Sequence, residues 1–230
     1  MAFSDGTRDA IKEYIDGHLA DWEWHKNRFS FISDHTLRDR LADEFISTRY
    51  VYKLLEGMAA DDWLLRAQIR LQVLSYASIY EAVIHHILFD DLSANPKVQA
   101  LIEFKTKKQI SIPAHKKAAL EAALEHDGKE IIPTYEGIGR TDESKVRFEK
   151  KAECAAELGL IEHWLMEEII EFYEARNAIH IHAEIRKSLD YQLDLSKRAY
   201  LRMEPFIEQV STNLDAVLAH NVKPWAPADR

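Results

Sequence analysis

The chain reads as an all-α protein, an antiparallel helical bundle, and three features predict it. Only 7 Gly and 6 Pro stand among 230 residues, too few turn formers for a fold of many strands and hairpins. Leucine, alanine, glutamate and lysine, all strong helix formers, are abundant. Apolar residues recur at three- and four-residue spacing over long stretches, as in helices that bury one face. The apolar fraction of 47% is ordinary for a globular chain, and the length suits one large domain over residues 1–230.

Residues 7–28 are expected to form a first helix, with Trp22 and Trp24 near its end. A second starts at Ser33-Asp34-His35-Thr36 and runs to Gly57, its stop, with Leu37, Leu41, Phe45, Tyr52 and Leu55 on the buried stripe. Asp61 or Asp62 caps the third, which carries Ile69, Val73, Tyr76, Tyr80, Val83 and Ile87 and continues to about Leu92. Roughly thirty residues at 1.5 Å each span about 45 Å, so this helix is either the long axis of the bundle or broken. Asn95-Pro96 ends it.

Residues 97–127 are expected to hold two shorter helices separated at Pro113. Gly128, Pro133, Gly137 and Gly139 mark residues 128–140 as a loop. A helix then runs from about Thr141 to Leu158, breaks at Gly159, and gives way at Ile161 to one that reaches about Ser188. The last helix, about Leu193 to Ala219, contains Pro205, which should kink it.

A lone cysteine, Cys154, can form neither an intramolecular disulfide nor a thiolate metal site, which fits a reducing compartment. The N-terminus lacks a basic stretch followed by an apolar one, and no window holds eighteen uninterrupted apolar residues. The expectation is a cytoplasmic protein with no membrane partner. Thirty Lys and Arg against 39 Asp and Glu give a net charge of -9, which disfavours indiscriminate attraction to polyanions. Any RNA contact must be local. The basic clusters at Lys105, Lys107 and Lys108, at Lys116 and Lys117, and at Lys145, Arg147, Lys150 and Lys151 read as solvated helix faces. The tyrosines and tryptophans fall mostly at core spacing and read as core, not as base-stacking platforms.

One segment breaks the apolar pattern. Leu165, Ile169 and Phe172 form a buried stripe whose next position is Arg176, while Met166, Ile170 and Tyr173 lead to Asn177. A guanidinium near a core needs a partner or a water-filled cleft, and Glu81, a carboxylate inside the apolar third helix, is available to it across the bundle. On a regular helix His180 lies about 40° from Arg176 and His182 about 240° away. Histidine moves protons near neutral pH and arginine binds phosphate through paired donors, so the combination matches phosphodiester chemistry. A purely structural role, with Arg176 paired to a core carboxylate and the histidines packed, fits the same residues.

Other chemistries find less. Glu81 and His85 share a face, but no second ligand pair joins them and His86 to make a metal site. Gly137-Ile138-Gly139 lacks the third glycine of a phosphate loop, and no serine sits in a nucleophile elbow.

Arginine, a polar residue, then histidine four to six residues on, in a late helix of a bundle, resembles the signature of the HEPN superfamily of ribonucleases, toxins and RNA-processing domains. Arg176, Asn177 and His182 fit it, and His180 fits the shorter Arg-Asn-x-x-His form. Leu74-Ser75-Tyr76-Ala77-Ser78-Ile79-Tyr80-Glu81-Ala82 is similar to the family's long early helix. Ala156-Glu157-Leu158-Gly159-Leu160-Ile161 is similar to the turn before the motif helix. The resemblance implies a HEPN-like core at about 36–92 and 141–219, an insertion at about 93–140, and additional N-terminal and middle helices.

It further implies a metal-independent endoribonuclease with no cofactor, acting as a toxin or defence effector. In that reading His182 or His180 assists proton transfer, Arg176 stabilises the phosphate charge, Asn177 orients the pair and Glu81 supports them. RNA is the expected partner, a homodimer the expected assembly, and an antitoxin or regulatory protein a further partner. The alternatives are a non-catalytic helical dimer that binds RNA or a protein, and a structural or regulatory protein without a nucleic-acid role.

Overall fold

The expected first helix is two helices, α1 (Asp5–Asp16) and α2 (Trp22–Arg28). Asp21 explains the restart, because its carboxylate accepts a hydrogen bond from the Trp24 amide at 2.8 Å and caps a new N-terminus. The computed structural model describes residues 2–124, 127–178 and 193–221. Over these residues the chain is a helical bundle with one small two-stranded sheet.

Helix α3 (His35–Gly57) begins where predicted, Asp34 capping the amides of Thr36 and Leu37 at 2.8 and 3.2 Å. At its end Gly57 leaves room for a neighbour, since a Cβ there would stand 2.8 Å from Cε1 of Tyr14 on α1. Helix α4 (Asp62–His86) runs unbroken and loosens into a π turn at Ile87–Asp91. It is the axis of the bundle, packed against α3 and three later helices. Helix α5 (Pro96–Ile102) follows, with Asn95 capping the Lys97 amide at 2.8 Å.

The middle of the chain departs from expectation. The two short helices stand on either side of Pro113 as expected, but the first stops at Ile102, and strands β1 (Glu103–Gln109) and β2 (Thr134–Arg140) stand before Pro113 and in the expected loop, an antiparallel ribbon that pairs Glu103 with Arg140 and Gln109 with Thr134. The partner of each strand lies far along the sequence, which local periodicity cannot reveal. Gly137 and Gly139, which read as turn formers, are strand residues facing bulky neighbours. Between the strands lies α6 (Ala114–Ala123), which begins after Pro113 and buries no residue.

Helix α7 (Phe148–Glu157) starts later than predicted, because Asp142 caps a short 3-10 turn at Glu143–Lys145 instead. Gly159, at φ 79°, makes the predicted break. Helix α8 (His163–Asn177) ends well before Ser188, and the remainder of the expected helix lies outside the described residues. The last predicted helix is interrupted for one residue, Arg202, between α9 (Leu193–Leu201) and α10 (Met203–Asn221), with helical bonds from Arg202 to Arg198 and from Phe206 to Arg202 on either side. Pro205 has no N–H for the Leu201 carbonyl and its ring crowds that oxygen, so the turn before it opens.

The core gathers Phe29, Tyr76, Tyr80, Phe172 and Phe206, all below 2% exposed. Each such side chain removed from water stabilises the fold by roughly 1.5–3 kcal/mol. The Tyr80 hydroxyl, buried with them, donates to the Ala199 carbonyl at 2.7 Å and so ties α4 to α9. Not every aromatic is core: Trp63 is 88% exposed, and Trp24, Phe104, Tyr135 and Trp164 are also exposed. No helix among the described residues is long and apolar enough to cross a membrane.

Candidate functional site

Three helices bring a cluster of polar side chains together on the bundle. From α4 come Glu81 and His85, four residues apart and hence on one face. From α7 comes Lys151, and from the last turns of α8 come Tyr173, Arg176 and Asn177. The α8 stripe follows the predicted order: Leu165, Ile169 and Phe172 are fully buried, and Arg176 continues it half-buried.

Glu81 is the partner that Arg176 needs. The guanidinium donates from Nη1 to Oε2 of Glu81, while the Tyr173 hydroxyl donates to Oε1 at 3.2 Å. Both charged side chains are slightly more than one quarter exposed. The pair is worth roughly 1 kcal/mol, between an exposed and a fully desolvated one. The guanidinium also stands 5.1 Å from the centre of the Tyr173 ring, a cation–π contact. Tyr173 in turn stacks on Phe148 of α7 at 4.3 Å. Arg176 is therefore fixed by charge, ring and helix end together. Its ion pair occupies one terminal nitrogen, leaving further N–H groups with no acceptor among the described residues.

Burial raises the Tyr173 hydroxyl above the usual tyrosine range, and the Glu81 charge adds to the effect; Arg176 and Asn177 oppose it. Tyr173 thus remains a protonated donor to Glu81 at neutral pH. Asn177, the last residue of α8, is exposed.

Beside this pair a cleft of about 420 Å³ is lined by Ser78, Glu81, His85, Asp90, Ser144 and Lys151 among others. Nζ of Lys151 lies 3.1 Å from Nδ1 of His85. Lys151 is only 3% exposed, unlike the solvated helix-face lysine that the sequence suggests; Lys145, Arg147 and Lys150 are exposed as expected. Burial lowers the Lys151 ammonium below the usual lysine range against the opposing charges of Glu81 and Glu143. Burial also lowers His85, and the neighbouring Lys151 charge lowers it further. When Lys151 is an ammonium it donates to Nδ1, which places the imidazole proton on Nε2.

The other histidine of the pair serves a different end. His86 is held with Nδ1 2.9 Å from Asp90 and Nε2 3.2 Å from the Ser33 hydroxyl. Glu81 is engaged by Arg176 and Tyr173, and Nδ1 of His85 by Lys151. Among the described residues no group of three His, Cys, Asp or Glu side chains is placed to hold a metal ion.

His180 and His182 lie outside the described residues. Helix α8 closes at Asn177, the Ala178 amide donating to Glu174 and Ala175 at 3.1 and 3.2 Å. Past the undescribed residues, α9 is clamped to α8. There Arg198 grips Glu171 with two bonds, of 2.8 and 2.7 Å, and Arg202 bonds Glu168. The Arg202 bond holds the Glu168 carboxyl below the usual carboxylate range.

Sequence reasoning brought Glu81, Arg176 and Asn177 to one end of the bundle and missed Tyr173 and Lys151 as site residues. The signal for Lys151 was present. It occupies the buried stripe of α7 with Phe148, Ala152 and Ala155, as Arg176 occupies that of α8. Comparison with protein-family models, curated proteins and solved structures finds no match to this chain.

Proposed function

We propose that this end of the bundle is the active site of a HEPN-like, metal-independent endoribonuclease that works as a homodimer in the cytoplasm, as a toxin or defence effector. The observation that carries the reading is Arg176, held by Tyr173 and by Glu81, which itself lines the cleft, with donors to spare and His180 and His182 four and six residues on in the sequence. In the reaction the ribose 2′-oxygen attacks phosphorus and the bond to the 5′-oxygen breaks, leaving a 2′,3′-cyclic phosphate and a 5′-hydroxyl. His182 or His180 assists the proton transfers, Arg176 stabilises the charge gathering on phosphate, and Asn177 orients them. An antitoxin or regulatory protein would restrain such an activity.

The Arg176–Glu81 bond also supports a second reading, in which the arginine only locks α8 to α4 and the chain is a non-catalytic helical dimer that binds RNA or a protein.

The test incubates wild type and the single variants Arg176→Ala, His180→Ala and His182→Ala with structured and single-stranded RNAs in chelator. Cleavage should give cyclic-phosphate ends and fall about a hundred- to ten-thousandfold in the arginine variant and in one histidine variant, with helicity retained. A wild type that binds RNA without cutting it favours the second reading, and one that does neither rejects both RNA readings.

A further inference from the structure

The β1–β2 ribbon with α6 projects from the bundle as an arm. It joins the body beside α5, where the Thr141 amide donates to the Ile102 carbonyl at 2.8 Å and Arg140 bonds Gln99 at 2.9 Å. Directly opposed residues of an antiparallel pair share a face. One face of the ribbon therefore carries Phe104 with Gly139, Thr106 with Gly137, and Lys108 with Tyr135.

The two glycines form its floor. A Cβ at Gly139 would come within 2.7 Å of Cζ of Phe104, and one at Gly137 within 3.1 Å of Cδ of Lys108. The aromatic ring and the lysine stem thus lie across bare backbone, which only glycine permits. Yet neither ring is covered from above, Phe104 being 51% and Tyr135 53% exposed. Four residues of strand place the two rings about 13 Å apart, far enough to receive separate bases.

Charge points to the same occupant. Residues 103–117 contain five lysines and a single acid, Glu103, in a protein of net charge -9. Glu103 is taken by Arg140, and Lys117 by Glu130. Lys105, Lys107 and Lys108 have no carboxylate partner among the described residues. Protein-docking surfaces are depleted in lysine, whereas two exposed aromatics with an unpaired lysine and no acid on their face suit a flexible polyanion with stacking bases.

We infer that this arm docks single-stranded RNA, with Phe104 and Tyr135 stacking on bases, Lys108 on the same face contacting phosphate, and Lys105 and Lys107 on the opposite face, where Glu136 stands across from Lys107, adding only to the local field. The choice of RNA over DNA rests on the proposed activity at the α8 end, but the stacking and the charge do not.

The test measures binding of a labelled single-stranded 2′-O-methyl RNA to the full chain by fluorescence anisotropy across a salt series. This probe cannot be cut by attack of the 2′-oxygen, so binding is read apart from cleavage. Phe104→Ala and Tyr135→Ala should each weaken binding by about five- to a hundredfold. Lys108→Ala should reduce the slope of log affinity against log salt by about 0.7, and removing all three lysines by at least that much. Gly139→Val, which displaces the Phe104 ring without removing it, should mimic Phe104→Ala. Circular dichroism and thermal unfolding should not change in any of them.

Wild-type affinity in the arm variants, or absence of binding by the wild type, overturns the inference. So does a loss of self-association by light scattering with RNA binding unchanged, which would make the arm a protein interface. Cleavage that persists with normal binding in the arm variants rejects this proposal alone. Binding through the arm without any cleavage rejects the active-site reading alone.

Discussion

At the end of α8 and on the arm, cations meet opposite surroundings. Arg176 and Lys151 are drawn into the bundle, and each is held by a specific partner, Glu81 or His85. Lys105 and Lys107 stand in water on a ribbon that rests on almost nothing. A charge withdrawn from water must be compensated by fixed groups, so the cleft is preorganised and its members are interdependent. A solvated charge keeps its freedom, acts over a distance set by salt, and can be removed without disturbing the fold. Position matters in the first region and sign in the second.

The largest expected contrast is in packing. Phe172→Ala, beneath the cleft and fully buried, should cost about 3–5 kcal/mol in denaturant unfolding. Phe104→Ala on the arm should cost less than about 0.5 kcal/mol. Equal losses would mean that the arm packs against the body in solution.

A double-mutant cycle sharpens the electrostatic side. Glu81→Gln and Arg176→Met should show a coupling energy of roughly 1 kcal/mol that survives added salt, since both groups are partly withdrawn from solvent. The exposed pair Lys117 and Glu130 on the arm should couple more weakly, and that coupling should fade with salt.

Acid separates the regions in a third way. Burial lowers both His25 and His85 below the ordinary histidine range. The unfolded chain therefore takes up protons, near pH about 6.5, that the folded chain refuses. The stability these histidines contribute is complete above that pH and is lost as pH falls towards their folded values. Chemical denaturation should show a lower midpoint at pH about 5.5 than at about 7.5, and His85→Gln should narrow the gap. The lysine variants of the arm should leave it unchanged.

The smallest expected effect is excision. Glu103 pairs with Arg140 and the Thr141 amide reaches the Ile102 carbonyl, so a short Gly-Ser link can replace residues 103–140. The melting temperature should move by no more than a few degrees. A collapse of helicity would show that the arm supports the bundle.

The sequence by itself determined what depends on local order. Helical periodicity marked α3, α4 and the buried stripe of α8, the segment at Asp34 announced the start of α3, Asn95-Pro96 announced a helix end, and Gly159 announced a break, because caps, stops and stripes are made by residues within a turn or two of each other. Arg176 was visible as a charge on an apolar stripe, and Glu81 as its counterpart. Tertiary structure decided the rest. The ribbon was hidden because β1 is helix-neutral and its partner lies some thirty residues away, behind glycines that a local reading assigns to turns. Lys151 stands on the buried stripe of α7 and was legible as Arg176 was, but its partner was not, because the contact with His85 depends on how α7 packs against α4. The meeting of Arg176 with Glu81, 95 residues apart, could be expected from charge, but only the packing of α8 on α4 brings the two within hydrogen-bond reach.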